Sequence, residues 1–370
     1  MKRWVVALGV VAYVVVIVAL FGYLWMTNKS PKLTVVSWPG QYGHAQASAL
    51  LRPFADRSGV DVRIAEYDGG TAELARQVAA KKYSWDVIDM ELPDAVTACA
   101  RGLLEPIDAS TLPMGPAGTP AAQDFLPGAI GPCWVGSVVY SQTIAYDRHR
   151  FAGEQPATLA DFFNLKKFPG PRALHGTSPK FNLELALLAD GVPPGKVYAV
   201  LSTPQGVARA LAKLDTIRGA LVWWTNDDSP VRMLADGRAA FSTILNGDIF
   251  NAAMHGRNLG VIWDRQLYEF DAFGVPKGDP KRGLATDFIR FATQAARLAG
   301  VSDWVPYGPA RRSAAPYVGE NPELNVAMTP FLPTSHFATA FAVDDEWWRQ
   351  HGAAVDVLWQ AWLAKEKQAR

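Results

Sequence analysis

From residue 32 onward the apolar positions change their period several times, and each change marks an element. "LTVVS" (33–37) is a short, nearly continuous apolar run that stops at Trp38, where Pro39-Gly40 turns the backbone; this predicts a buried strand. Between Ala45 and Arg57, Leu50, Leu51 and Phe54 fall on one side of a helix, bent at Pro53. "VDVRIAEY" (60–67) alternates with period two and predicts a second strand. Asp68-Gly69-Gly70 turns the chain, and Thr71 is placed to cap a helix that carries Leu74 and Val78 inward. "WDVIDM" (85–90) reads as a third strand. Strand, helix, strand, helix, strand at these lengths predicts an α/β unit with a parallel sheet and right-handed crossovers.

A Pro/Gly/Ala-rich connection (Thr111–Gly128) precedes the longest strand-like run, "WVGSVVYSQTIAY" (134–146), long enough to pass from one lobe to another. A more helical region follows from Thr158 to about Gly260, with Thr203-Pro204 opening a helix through Leu214. "LGVIWDRQLYEFDAFGVPKG" turns β-rich again and marks the return crossing. From Asp344 onward Trp348, Val355, Trp359 and Trp362 recur at helical spacing, a stripe that suits core packing. The expected division is residues 1–30 as a membrane anchor or signal, 31–139 with 265–307 as lobe 1, and 140–264 with 308–370 as lobe 2.

At the N-terminus, Lys2 and Arg3 precede an uncharged stretch from Trp4 to Met26, enough to span a bilayer at about 20 residues per crossing. A secretory signal has an apolar core of roughly 7–15 residues and ends in small residues such as Ala-x-Ala. That ending is missing here, and no Cys follows for lipid attachment, so the segment reads as an uncleaved transmembrane anchor, with a cleaved signal as the alternative. Lys2 and Arg3 direct the body outward, a bias that Lys29 and Lys32 reduce. Either reading places the body outside the cytoplasm, in the periplasm.

The 370 residues carry 36 Lys plus Arg against 35 Asp plus Glu, with no basic run to bind nucleic acid. Leaving out Lys2, Arg3 and Lys29 moves the formal charge from +1 to −2. Cys99 and Cys133 are the two cysteines; an oxidising compartment favours a disulfide between them, two buried thiols being the alternative. The six histidines have no ligand-like spacing, so no metal is expected. Gly-x-Ser-x-Gly, His-Glu-x-x-His, P-loop and dinucleotide motifs are missing, which lowers the case for an enzyme, and no cofactor is implied.

What the chain offers instead is aromatic and acidic residues at strand ends. Trp38 ends the first strand, Glu91 follows the third, and Asp248 and Asp271 stand in "ILNGDIF" and "EFDAFGVP". Trp224 precedes Asp227 and Asp228, and Tyr307 lies in "WVPYGPA". In open parallel sheets the ligand crevice lies outside the carboxyl ends of the strands. Indole faces attract a cation by about 0.5–2 kcal/mol per contact, and carboxylates offset the desolvation of an ammonium group. Each residue also has a plain structural role: Asp248 as a helix cap, Asp271 as a strand end, Trp224 and Tyr307 as packing, Glu91 as a helix start.

"PFADRSGVDV" (53–62), "YSWDVIDM" (83–90), "RGLLEPID" (101–108), "IAYDRHRF" (144–151), "GVPPGKVYAVLSTPQG" (191–206), "RALAKLD" (209–215) and "DEWWRQHG" (345–352) together resemble the extracytoplasmic solute-binding proteins of polyamine (spermidine/putrescine)-type ABC importers. The resemblance implies a two-lobed, type II periplasmic-binding-protein-like clamp. It would work as a monomer, closing on a small cationic or amine solute and delivering it to an ABC permease and its ATPase. It also implies a Cys99–Cys133 bridge. The family's two carboxylates, in a Gly-Asp and a Phe-Asp pair, fall on Asp248 and Asp271. Its first-strand Trp-Ser-Asp-Tyr meets Trp38-Pro39-Gly40-Gln41-Tyr42, which keeps the aromatics and lacks the acid. Leu245 stands where the family has Trp, and Glu91 where it has Ser. Fewer matching carboxylates suit a monocation, an amino-acid derivative or another small amine. The alternatives are a membrane-tethered sensor built on the same clamp, or a binder of a different small metabolite.

Overall fold

The computed structural model describes residues 30–151, 153–225 and 229–368. The expected membrane-crossing segment and Asp227-Asp228 lie outside them, and no helix among the described residues is long and apolar enough to cross a membrane. The main strands are β1 (Lys32–Ser37), β2 (Asp61–Glu66), β3 (Val87–Glu91), β4 (Val135–Asp147), β5 (Arg172–His175), β6 (Leu221–Trp224), β7 (Phe241–Leu245) and β8 (Leu259–Gly274). They form one sheet in the order β2-β1-β3-β8-β4-β7-β5-β6. Each flank is a parallel set: β1 between β2 and β3, and β5 between β6 and β7. The long β4 and β8 run antiparallel to each other through the middle.

The expected all-parallel first unit is thus completed by an antiparallel strand, because β8 arrives by the return crossing and enters from the opposite end to β3. Both links to β4–β8 are antiparallel, so β3 and β7 point toward each other. β3 ends with Glu91 level with Asp271 and Val138, and β7 ends with Leu245 beside Gln142. Four residue steps of β4 separate the two ends, about 13 Å at the usual strand rise.

The β4–β8 ladder is interrupted once near its middle. Gln142 pairs with Leu267 and Ile144 with Ile262, so Thr143 alone stands opposite Trp263–Gln266, an excursion in which Arg265 takes a φ of 58°. Apolar packing divides at the same level. One buried cluster collects Leu33 through Val139 and Tyr268 through Ala314, and another Ile144 through Leu267 with Phe341 through Trp362. The segment after residue 308, expected in lobe 2, goes first to the other side: Ala310 and Ala314 pack in the first cluster, and only Phe341 onward joins the second. Fully buried Arg311 anchors this return by an ion pair with Asp124 and by donating to the carbonyls of Thr293 and Pro113, both at 2.7 Å.

The helical stretch after β1 begins at Gln41 and contains a π turn, Ala47–Leu51, just before Pro53, whose missing N–H breaks the ordinary ladder. Thr203 caps Pro204–Asp215 by accepting from the Gly206 amide at 3.0 Å. In the C-terminal helix, Asp345–Gln368, the stripe at Val355, Trp359 and Trp362 is buried, with Trp348 packed beside it. Cys99 and Cys133 are bonded, with Cα atoms 5.7 Å apart and a sequence separation of 34; such a loop contributes about 3–4 kcal/mol on the chain-entropy model.

Candidate functional site

A cavity of about 580 Å³ opens where the carboxyl ends of β3 and β7 face each other. Trp38 forms one wall, and its position follows from three glycines. Gly40 turns the chain with φ +76°. At Gly43 an added Cβ would stand 2.5 Å from the Trp38 carbonyl oxygen, so only glycine allows the helix to start this close. At Gly69 it would stand 2.9 Å from the indole itself. Tyr67 completes the seat, its ring centroid 5.2 Å away. Tyr42 and Tyr307 meet edge to face at 5.7 Å, and Tyr140 and Tyr307 at 6.4 Å, forming a second aromatic wall.

The floor is acidic by strand periodicity. Asp89 and Glu91 are two apart on β3, Glu269 and Asp271 two apart on β8, and Glu91 pairs with Asp271. The two strands therefore present all four carboxylates on one face. A register shift between Gly136 and Val138 brings Ser137 into this row. Its hydroxyl lies 2.7 Å from Asp89 Oδ1 and 3.0 Å from the Asp271 carbonyl. Tyr42 and Gln46 both donate to Asp89 Oδ2 at 2.7 Å. Asp89 is fully buried and thereby pushed up to about 6. Asp271, 5 % exposed, is raised well above the usual carboxylate range, first by burial and then by the charges of Asp89 and Glu91; its Oδ1 has no hydrogen-bond partner. Farther along the row Lys180 pairs with Glu269 and with Asp345, the latter at 2.7 Å.

Of the residues singled out from the sequence, Trp38, Tyr42, Glu91, Asp271 and Tyr307 line this one cavity. Trp224 and Asp248 do not. β6 is the outermost strand of its flank, three places from β4, and Trp224 is buried there with its ring 4.4 Å from His175. Asp248 is half-buried in the first turn of the helix Asn246–Met254, and its neighbour Gly247 provides the lining, where an added Cβ would lie 3.0 Å from the Tyr307 hydroxyl. Sequence reasoning missed Tyr140, in the interior of β4, and Asp89, whose acidic side chain sits in an apolar strand. That contrast of a charge inside "DVIDM" was the available signal. Among the described residues no cluster of His, Cys, Asp and Glu has the arrangement of a metal site.

Residues 49–330 match the profile of the family described as "Bacterial extracellular solute-binding protein". The chain belongs to this family of bacterial extracellular solute-binding proteins. A gamma-aminobutyric acid (GABA)-binding protein of Pseudomonas aeruginosa is 37 % identical to this chain over 339 residues, covering 91 % of this chain and 92 % of that protein. The solved Atu4243 GABA receptor is 29 % identical with a TM-score of 0.72, covering 90 % of this chain and 97 % of that one. An ABC-transporter substrate-binding protein of Bradyrhizobium japonicum is 28 % identical with a TM-score of 0.76, covering 90 % and 99 %. A spermidine/putrescine-binding protein of Streptococcus pneumoniae, 16 % identical with a TM-score of 0.67, shares the fold. The similarity to these proteins thus covers about nine-tenths of the chain.

Proposed function

We propose that this protein is the extracytoplasmic, periplasmic solute-binding component of an ABC importer, and that its solute is a small linear amine seated by its ammonium group. One observation carries the reading: three carboxylate residues, Glu91, Asp271 and Glu323, line a cavity walled by Trp38, Tyr42, Tyr140 and Tyr307, and no Lys or Arg is among the described residues that line it. Aromatic faces and an unpartnered carboxylate oxygen, Asp271 Oδ1, are the chemistry an alkylammonium needs when it leaves water. The four-step separation between the ends of β3 and β7 suits a solute a few carbons long.

No bond is made or broken in this role. The solute would bridge the two halves of the sheet, and closure about β4 and β8 would follow from contacts made to both at once. Seven residues were expected to bind; the proposal keeps Trp38, Tyr42, Glu91, Asp271 and Tyr307, adds Tyr140, and leaves Trp224 and Asp248 in supporting positions. The far end of the solute separates two readings. A diamine such as putrescine would turn its second ammonium toward Glu323, which also lines the cavity. GABA, which the Pseudomonas relative binds by name, would place its carboxylate among neutral donors such as Gln41 and Asn251.

A melting-temperature panel with GABA, putrescine, spermidine, betaines, amino acids and sugars tests the proposal. A solute at 100 times its dissociation constant stabilises the folded state by about 2.7 kcal/mol. One or more amines should raise the melt and neutral sugars should not. A response to a sugar without a response to any amine refutes the ammonium seat.

A further inference from the structure

The acids beneath the cavity are arranged for more than attraction. Asp89 and Asp271 come from adjacent strands on one face, both buried, and the groups packed against them are acidic or neutral; the cavity that Asp271 lines also carries Glu323 and His255. β3 adds Glu91 and β8 adds Glu269; β4 brings Ser137 and Tyr140, the helix Gln41–Gln46 brings Tyr42 and Gln46, and the segment after β2 brings Tyr67. Beyond them Asp94 faces Tyr67, and Lys180 is spent on Glu269 and Asp345. Asp89 has its oxygens filled by three donors, whereas Asp271, which lines the cavity, keeps one buried oxygen without a hydrogen-bond partner. Two like charges this deep cannot both persist without a counter-cation.

We propose that the empty cleft holds one proton on the Asp89–Asp271 carboxyl pair and that the ammonium group of the incoming solute displaces it, so that solute capture is a proton exchange. The exchange balances: a neutral carboxyl and an alkylammonium become a carboxylate–ammonium pair, and one proton leaves to solvent. Burial raises both carboxyls, and the charges of Asp89 and Glu91 raise Asp271 further, which favours a protonated Asp271 near neutral pH in the empty protein. Asp89 is here a positioning residue. It touches no solute, but its charge decides whether Asp271 waits protonated. This inference rests on the ammonium seat proposed above, and it makes the protein a detector of cations whose grip weakens as the medium acidifies.

Two measurements on the whole protein test it independently. Titration calorimetry with putrescine and with GABA, repeated in buffers of different ionisation enthalpy, should show about one proton released per solute near neutral pH and affinity falling about tenfold per pH unit below the pair's titration. Carboxyl-carbon spectra of the empty, aspartate-labelled protein should show a resonance that titrates above about pH 6, lost in Asp271→Asn and moved to lower pH in Asp89→Asn. Binding of either amine with no proton released between about pH 5.5 and 8 overturns the exchange and leaves the ammonium seat standing. If neither amine binds, the ammonium seat fails, and the spectra still decide the proton. The inference is also overturned if no resonance altered by these two substitutions titrates above pH 6.

Discussion

Replacing Asp271 by Asn keeps the shape of the side chain and removes its charge, which isolates what that charge contributes. In the empty protein Asp271 is buried against Asp89 and Glu91, with one oxygen unpartnered, so the neutral amide imitates the protonated carboxyl and the fold loses nothing. In the complex it forfeits a hydrogen bond to a charged group, worth about 1.5–3 kcal/mol, or roughly a 10- to 150-fold weaker dissociation constant. Calorimetric titration at neutral pH, with whichever of GABA and putrescine raises the melt of the native protein, reads the affinity; thermal unfolding of the empty variant reads the fold. Affinity should fall by that factor while the empty protein melts at or slightly above the native temperature. Unchanged affinity, or a loss of stability as large as the loss of binding, would refute the assignment and make Asp271 a structural strand end.

Gly43→Ala introduces a Cβ 2.5 Å from the Trp38 carbonyl; the shifted indole should weaken solute binding at least severalfold in the same titration, more than it lowers the melt. Arg311→Met strands Asp124 without its buried partner, and urea unfolding should show a loss of about 3–5 kcal/mol. The pH dependence of the empty protein follows from the raised carboxyls. Where they stay protonated in the fold but ionise in the unfolded chain, the fold binds more protons, so stability is fullest below about pH 4 and falls as pH rises through the folded value, about 6 for Asp89. That shift corresponds to a contribution on the order of 3 kcal/mol, seen as a melt that declines between about pH 4 and 7 in the native protein and declines less in Asp89→Asn.

Much of the fold was legible where periodicity is strong. β1, β2 and β3, the long crossing strand β4, the return at β8 and the tryptophan stripe of the last helix all carry patterns that local burial dictates. The segment from Gly308 to Ala340 was not legible: it is rich in turns and short 3₁₀ pieces, and its placement depends on Arg311 reaching Asp124, a pairing across nearly two hundred residues that no local pattern encodes. The site divided in the same way. Among the residues that line the cavity, Trp38 and Glu91 were legible because each stands at a strand end, and Asp271 because it is an acid within "EFDAFGVP". Tyr140 could not, because its exposure to the cavity depends on β3 and β7 stopping short on either side of it. Trp224 misled because a strand end matters only if the strand lies beside the crevice, and strand order is a tertiary property.

The excursion Trp263–Gln266 sets where this protein tolerates a change of length. The ladder resumes at Gln142–Leu267, so a residue gained or lost within the excursion leaves Glu269 and Asp271 in phase with Asp89 and Glu91; what it disturbs is local, chiefly the Gln266 amide that donates to the carbonyls of Pro333 and His336. The same change between Leu267 and Asp271 would turn alternate side chains over and point the floor of the cleft away from its solute. Insertions and deletions in related chains should therefore collect at this loop and spare the five residues after it, and a library that varies loop length here can tune closure without rewriting recognition.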